Sequence, residues 1–297
     1  MSLANWMSQL PPELTCRPIY TLKIPGSHDS GATNFLNDKL PVANDEDGPI
    51  QQLGKAFCIR RGIKRWAVCQ SCSIRNQLDH GIRYLDLRVS NPPVGVRKSK
   101  TDFRLIHALY GPKLHNVFRE ILDFLTVNTK EVILLDMNHL YDFDLESYCI
   151  LQTLAMDILG QDLFCPVMNP DDVSLDFMWQ NGYKVIAFSS LASCDCPVIW
   201  PGCLIPSPWP NTNNVDELIQ ILESQLDDCR KNSRGFYVTQ GILTPRSYDV
   251  VAKWFSTLRE QFAQRATDRV LSWLDELEEE KREMLNIYMI LSVMNIL

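Results

Sequence analysis

The sequence predicts an α/β protein built as a (β/α) barrel, with an open doubly wound sheet as the alternative, and three observations carry that reading. Short β-rich runs alternate with segments of helical spacing along the chain. The runs are apolar on both faces, as buried parallel strands are. The length is 297 residues with 45% hydrophobic side chains, near the roughly 250 typical of such barrels and enough for one large core. A single domain over 1–297 is expected, because no internal repeat or long low-complexity linker interrupts it.

The strand runs follow in order: IYTLKI at 19–24, GIRYLDLRV at 81–89, FRLIHALY at 103–110, EVILLDMNHL at 131–140, YKVIAFSS at 183–190 and GFYVTQGIL at 235–243. Between them VFREILDFLTVNT and LESYCILQTLAMDILG place apolar residues three and four apart, the spacing of an amphipathic helix. IWPGCLIPSPWP and the carboxy-terminal NIYMILSVMNIL are weaker strand candidates, and the Pro/Asn-rich stretch 197–214 reads as a surface loop. The last segment follows the charged LDELEEEKREM and has no polar tail, which a buried final strand explains.

Composition removes several classes of function. A formal charge of −7 argues against a sequence-independent grip on nucleic acid, which needs an excess of Lys and Arg to neutralise phosphates. The start, MSLANWMSQLPPEL, lacks the charged and apolar regions of a secretory signal, so a cytoplasmic protein is expected. Its ten cysteines then read as reduced thiols. Neither the Cys69/Cys72 pair nor Cys194, Cys196 and Cys203 has the second ligand pair a structural zinc needs, so no metal or other cofactor is expected. No apolar run reaches the ~18 residues of a membrane span.

The informative polar residues end otherwise apolar strands, where a barrel carries its active site. The first run leads into IPGSHDS, with His28 and Asp29 on a Gly-assisted turn. The second carries Asp86 and Arg88, two apart and on one side. The third carries His107. The fourth carries Asp136 and Asn138 on one face and His139 on the other. Ser189 ends the fifth and Gln240 lies on the seventh, both weaker candidates for the barrel mouth, with capping of a strand end as the alternative. Together these supply a base, an acid, orienting carboxylates and an anion clamp. His80 and His115, in QLDHG and PKLHN, read as surface or capping residues.

The stretches ANWM, IPGSHDS, GIRYLDLRV, IHALYG, EVILLDMNH, IWPG, PSPWPNT and LTP, spanning residues 5 to about 245, resemble the X domain of phosphatidylinositol-specific phospholipase C, and most closely the small X-domain-only proteins of animals. The resemblance implies a distorted (β/α)8 barrel that cleaves the glycerol-to-phosphate bond of a phosphoinositide lipid. It implies His28 as general base and His107 as general acid, with Asp29 and Asp86 supporting them and Arg88 on the phosphate. Calcium-dependent relatives carry an acid at the position of Arg88 and Asn after the first histidine, so independence of metal is implied here. The family closes with an acid-bearing last strand, and bacterial relatives use a late aspartate to support the first histidine. Residues 284–297 depart from this, having no acid after Glu283. A barrel that binds phosphoinositide or a partner without turnover is the main alternative. A metal-using glycerophosphodiesterase ranks last, since HDS replaces its HRG-type start.

KAFCIRRGIKRWAV at 55–68 interleaves Lys55, Arg60, Arg61, Lys64 and Arg65 with apolar residues including Trp66. Such a helix suits transient contact with an anionic membrane surface, and a solvated basic face packed on the barrel is the alternative.

Overall fold

In a computed structural model, the protein is described over residues 2–46, 48–191, 196–230 and 234–291. Its strands, in chain order, are β1 (Ile24–Ser27), β2 (Tyr84–Asp86), β3 (Val89–Ser90), β4 (Arg104–His107), β5 (Leu109–Lys113), β6 (Ile133–Met137), β7 (Leu140–Tyr141), β8 (Val185–Ser189), β9 (Ile199–Pro201), β10 (Val238–Gly241) and β11 (Ile287–Ile290). Seven of them form one parallel sheet in the order β10-β11-β1-β2-β6-β8-β9. The remaining four form a separate sheet, β5-β4-β3-β7.

The fold is thus an α/β barrel, distorted in a definite way: among the described residues the ladder has seven strands, and β9 and β10 are not paired. The segment after β9 crosses this seam. The Val238 N–H donates to Pro206 O at 3.0 Å, and Gln240 Nε2 donates to Ser207 O at 2.7 Å.

Alternation along the strands separates two apolar layers. Tyr84, Leu134, Ile186, Phe188, Val238 and Ile287 pack together in one cluster with Trp200 and Phe236. Leu85, Leu135 and Ala187, the alternate residues, pack against helices Leu114–Val127 and Leu145–Leu159. Both helices fall where the three- and four-residue spacing places them. The second starts from a capping box at Asp144 and stops at Gly160, whose φ of 92° suits glycine.

Two expected strands are redistributed, and a weaker candidate is realised. Residues 19–21 of the first run form a 3-10 turn behind Pro18, and the buried Asn286 side chain donates to Ile19 O and Leu22 O across it. The third run, FRLIHALY, is not a barrel strand: it makes the β4–β5 antiparallel hairpin of the smaller sheet. The final segment does supply a barrel strand, β11, buried between β10 and β1. Residues 292–297 of that segment and Cys194 lie outside the described residues. The eight cysteines described are free thiols.

The amino-terminal turns are tied to the barrel by charge. Arg83 and Glu131 are both fully buried and meet at 2.7 Å. Glu131 also accepts from the Met7 and Ser8 N–H groups, and Arg83 donates to the carbonyls of Leu3, Ala4, Leu78 and Ile82. Removing one member of a buried pair leaves an uncompensated charge. Glu131→Ala is therefore expected to cost about 3–5 kcal/mol in urea unfolding, whereas Lys100→Ala, in an exposed pair with Glu146, is expected to cost about 1 kcal/mol or less.

Candidate active site at the barrel mouth

Strand register gathers the site. Gly26 pairs with Tyr84 and Ser27 with Leu85, so His28, the next residue, comes level with Asp86. Asp86 in turn pairs with Asp136 on β6. Gly26 lies within β1 and serves close packing: a Cβ there would lie 2.7 Å from the Tyr84 ring. The turn itself is made by Asp29, in the left-handed region with φ 43°, which Asp tolerates better than most residues.

Arg88 leaves the barrel two residues beyond Asp86 and leads into β3, and its carbonyl accepts from the Ile106 N–H. That bond draws the β4–β5 hairpin across the mouth and brings His107 in from the side. Ala108, at φ 55°, makes the reversal between the two hairpin strands. It is clamped there: its N–H donates to Asp45 Oδ2 at 2.8 Å, and its carbonyl accepts from the Ala43 N–H. A left-handed non-glycine residue held by surrounding bonds is stored strain of the kind found at functional sites.

The charged groups converge on Asp29. Its Oδ2 lies 3.5 Å from His28 Nε2 and 3.6 Å from His107 Nε2, and its Oδ1 lies 3.1 Å from Arg88 Nε. Asp86 Oδ2 is 3.1 Å from His28 Nδ1, accepts from the Asp29 N–H at 3.0 Å and is 3.9 Å from Arg88 Nε. The Asp86 carboxylate thus favours the proton on Nδ1 of His28 and leaves Nε2 as the basic atom. His107 is oriented by its other nitrogen, Nδ1, which donates to Ala67 O at 2.7 Å. Cys69 Sγ lies 3.5 Å from the same nitrogen.

Burial and neighbouring charges then set different protonation states. Burial alone would lower the pKa of His107, but the Asp29 carboxylate, with Cys69 beside it, raises it well above the ordinary histidine value, so this ring carries its proton at neutral pH. Burial would raise Asp86, yet the hydrogen bond with His28 and the charge of Arg88 hold it well below the carboxylate range. Arg88 is half-buried, and Asp29 and Asp86 more than offset the cost of its desolvation and keep it charged. Asp136 goes the other way: burial and the adjacent Asp86 push it up to about 7.

Two cavities meet at Arg88. A polar one of 450 Å³ is lined by Asp86, Asp136, Asn138, His139, Tyr141 and Gln240 among others. A largely apolar one of 390 Å³ carries His28 and His107 on its wall. Asp136 accepts from Tyr84 Oη at 2.6 Å and from the Asn138 N–H at 2.9 Å. His139 joins Asp136 and Asn138 in the polar cavity because β6 ends at Met137, which breaks the alternation that would have turned it away.

Ser189 is not brought in. It is buried, its Oγ accepts from the Leu191 N–H, and it lines neither of the two cavities that meet at Arg88. His80 caps the helix Ile74–Asp79, and His115 lies on the helix Leu114–Val127. The basic segment forms the helix Phe57–Ala67, but Trp66 is buried against the barrel side. Arg60 donates to the carbonyls of Asp38, Gly54 and Lys55, and Lys64 to that of Asn34. These three residues anchor the helix, and Lys55 and Arg61 stay exposed.

Among the described residues, His28, Asp29 and Cys69 place three donor atoms within 4.8 Å of one another. This set of one nitrogen, one sulfur and one carboxylate oxygen does not fit calcium, which takes six to eight oxygen ligands. Burial also pushes the Cys69 thiol up, away from the thiolate a softer metal needs, and Arg88 already occupies the Asp29 carboxylate.

A barrel with this arrangement at its mouth has the fold of the phosphatidylinositol-specific phospholipases C. The enzyme from Listeria monocytogenes superposes with a TM-score of 0.65 at 18% identity, covering 98% of this chain and 94% of that one. A Staphylococcus aureus form gives 0.66 at 16% identity, covering 98% and 91%. In sequence, human PI-PLC X domain-containing protein 2 is 38% identical over 245 residues, 82% of this chain and 78% of that protein. Human PI-PLC X domain-containing protein 3 is 33% identical over 277 residues, 92% and 84%. The chain belongs to the PI-PLC X domain-containing proteins. No family model matches it.

Asp136 gives a pH signature. With its folded pKa raised to about 7, it takes up a proton on folding, so its contribution is favourable below the ordinary carboxylate value and is lost as pH rises through 7. Asp136→Asn is therefore expected to gain on the unsubstituted protein between pH 5 and pH 8, by on the order of 5–10 °C in melting temperature. A gap that narrows over that range would contradict the assignment.

Proposed function

We propose that the chain is a phosphodiesterase of phospholipase C type that cleaves phosphoinositides by metal-independent acid–base catalysis. What carries the reading is one observation: two histidines flank a single carboxylate, one with its Nε2 free of the Asp86 contact and the other held as a cation, beside the half-buried guanidinium of Arg88.

In this mechanism His28 Nε2 removes the proton of the inositol 2-hydroxyl. Its oxygen attacks the adjacent phosphorus within the same molecule, with the proximity advantage of a tethered nucleophile. Arg88 meets the charge that grows on the non-bridging oxygens, and its planar fork suits two of them where a lysine would not. His107, already protonated, gives its proton to the departing diacylglycerol oxygen. The bond from phosphorus to that oxygen breaks, and a cyclic inositol phosphate forms. Each acid or base step is worth about 10²–10⁴-fold. The polar cavity would take the inositol ring, with Asp136, Asn138 and Gln240 on its hydroxyls, and Asp136, titrating near neutrality, could donate or accept.

Contact with a membrane would be peripheral, since among the described residues no helix is long and apolar enough to cross one. The surface suited to it is apolar. Leu53, Trp209, Tyr248, Val251 and Phe255 are 57–88% exposed, on segments that border the apolar cavity through Ile50, Trp209, Val250 and Trp254. Lys55 and Arg61 would add attraction to anionic lipid. Free thiols suit a cytoplasmic setting.

Purified protein incubated with phosphatidylinositol vesicles in EDTA should release water-soluble inositol phosphate, and His28→Ala should lower the rate by at least 10²-fold. Folded protein that gives no product with or without calcium would put lipid binding without turnover in first place. The general acid must be protonated, so the alkaline limb of kcat/KM should lie above the ordinary histidine value of about 6.5. Because Asp29 is what raises His107 against burial, Asp29→Asn should move that limb to lower pH, and an unmoved limb would remove His107 from the role.

A further inference from the structure

The two cavities differ in chemistry, and the difference orients a substrate. The more polar one carries carboxylates, amides and phenols able to bond hydroxyl groups, alongside Ile205, Pro206 and Met289. The apolar one runs away from the histidines between Trp66, Leu243, Val250, Trp254, Leu258 and Leu291. A sugar-like headgroup placed there would bury hydroxyls against hydrocarbon at a cost of about 1–3 kcal/mol each. Arg88 and Trp209 border both cavities, so a phosphate at Arg88 has one cavity available to each of its two ester arms. His28 and His107 both stand on the wall of the apolar cavity, so the oxygen that His107 protonates departs beside that cavity's hydrocarbon lining.

We propose that the apolar cavity is a binding subsite for the hydrocarbon of the leaving group, so that a phosphodiester whose alcohol bears one alkyl or acyl chain is bound with that chain inserted beside His107. This rests on the phosphodiesterase reading above and adds the class of alcohol. Its volume, 390 Å³, is at the small end of ligand pockets, which run from about 300 to 1,000 Å³. It has room for part of one chain, not for two.

The wall is held by an unusual contact. The indole of Trp254 lies against Gly62 in the middle of the helix Phe57–Ala67, so close that a Cβ at Gly62 would sit 1.9 Å from Trp254 Cζ2. A glycine inside a helix costs about 1 kcal/mol relative to alanine, and here that cost is what lets the indole close over the helix and form the cavity's side. The carbonyl of Trp254 is further met by Arg65 Nη1 at 3.5 Å. Neither Gly62 nor Trp254 touches the charged groups at Asp29.

The test uses water-soluble methyl, butyl, hexyl and octyl esters of inositol 1-phosphate, each below its micelle concentration so that no surface contributes. In the unsubstituted protein kcat/KM should rise by up to about fourfold per methylene buried, reaching at least tenfold between the methyl and hexyl esters and levelling off as the cavity fills. Trp254→Ala, which removes the wall, and Gly62→Ala, which displaces it, should both flatten the rise while keeping the methyl ester within about twofold, and that rate also reports that each variant is folded. A flat profile with the methyl ester turned over would overturn the subsite and leave the phosphodiesterase reading intact. A rise that both variants retain would overturn it as well. No turnover of any ester by folded protein would sink the phosphodiesterase reading and the subsite with it.

Discussion

The site depends on one half-buried cation, Arg88. Three carboxylates, Asp29, Asp86 and Asp136, stand within a few residues of strand ends that the core has removed from water. Without compensation they would repel one another and take up protons. Arg88 reaches two of them, at 3.1 and 3.9 Å, and its charge, added to the hydrogen bond with His28, keeps Asp86 ionised. The third has no such partner and yields, and Asp136 is pushed up to about 7. The local charge is therefore divided by position: carboxylates near Arg88 serve as anions, and the one paired to Asp86 across the ladder titrates. His107 follows from the same balance, since its proton is kept by Asp29 against the pull of burial and of Arg88 itself.

Much of this was legible in the chain because it is local. IPGSHDS, YLDLRV and LLDMNH each end an apolar run with polar residues, and parallel pairing in simple register then brings His28, Asp86 and Asp136 level. The placement of His107 was not legible. FRLIHALY is as apolar as a barrel strand, and only long-range pairing reveals that it folds back on itself through Ala108 and joins β3. The helix Phe57–Ala67 misleads similarly: its basic residues suggest a surface face, but three of the long side chains and Trp66 are spent on packing and on backbone carbonyls that periodicity cannot foresee. The strands β9 and β11 gave weak signals, one broken by proline and glycine and the other too short to show alternation. Cys69 beside His107, and Asp45 beneath Ala108, gave no signal, because each acts through a contact made across the fold.

The carboxy-terminal departure has a structural answer over the described residues. β11 pairs with both β10 and β1, so it is an interior strand. It places the Ile290 carbonyl on the His28 N–H at 3.0 Å. Backbone position, not an acid, is what this strand contributes to the first histidine. The acid comes instead from β2, where Asp86 approaches Nδ1. A late aspartate would add a further negative charge beside a centre that already holds three carboxylates.

The same accounting explains why positions 29 and 88 differ together from the calcium-dependent proteins that the chain resembles. An acid at 88 with an amide at 29 concentrates negative charge on one side, which suits a dication that supplies the missing positive charge. Arg88 with Asp29 is neutral as a pair at 3.1 Å, the arrangement that the proposed metal-independent mechanism uses. Changing one position alone breaks either arrangement. Arginine without the carboxylate would lower the proton affinity of the neighbouring His107, and the carboxylate without arginine would leave Asp29 and Asp86 to repel each other next to His28. The two residues therefore act as one unit, and it is the unit that fixes which histidine carries the proton.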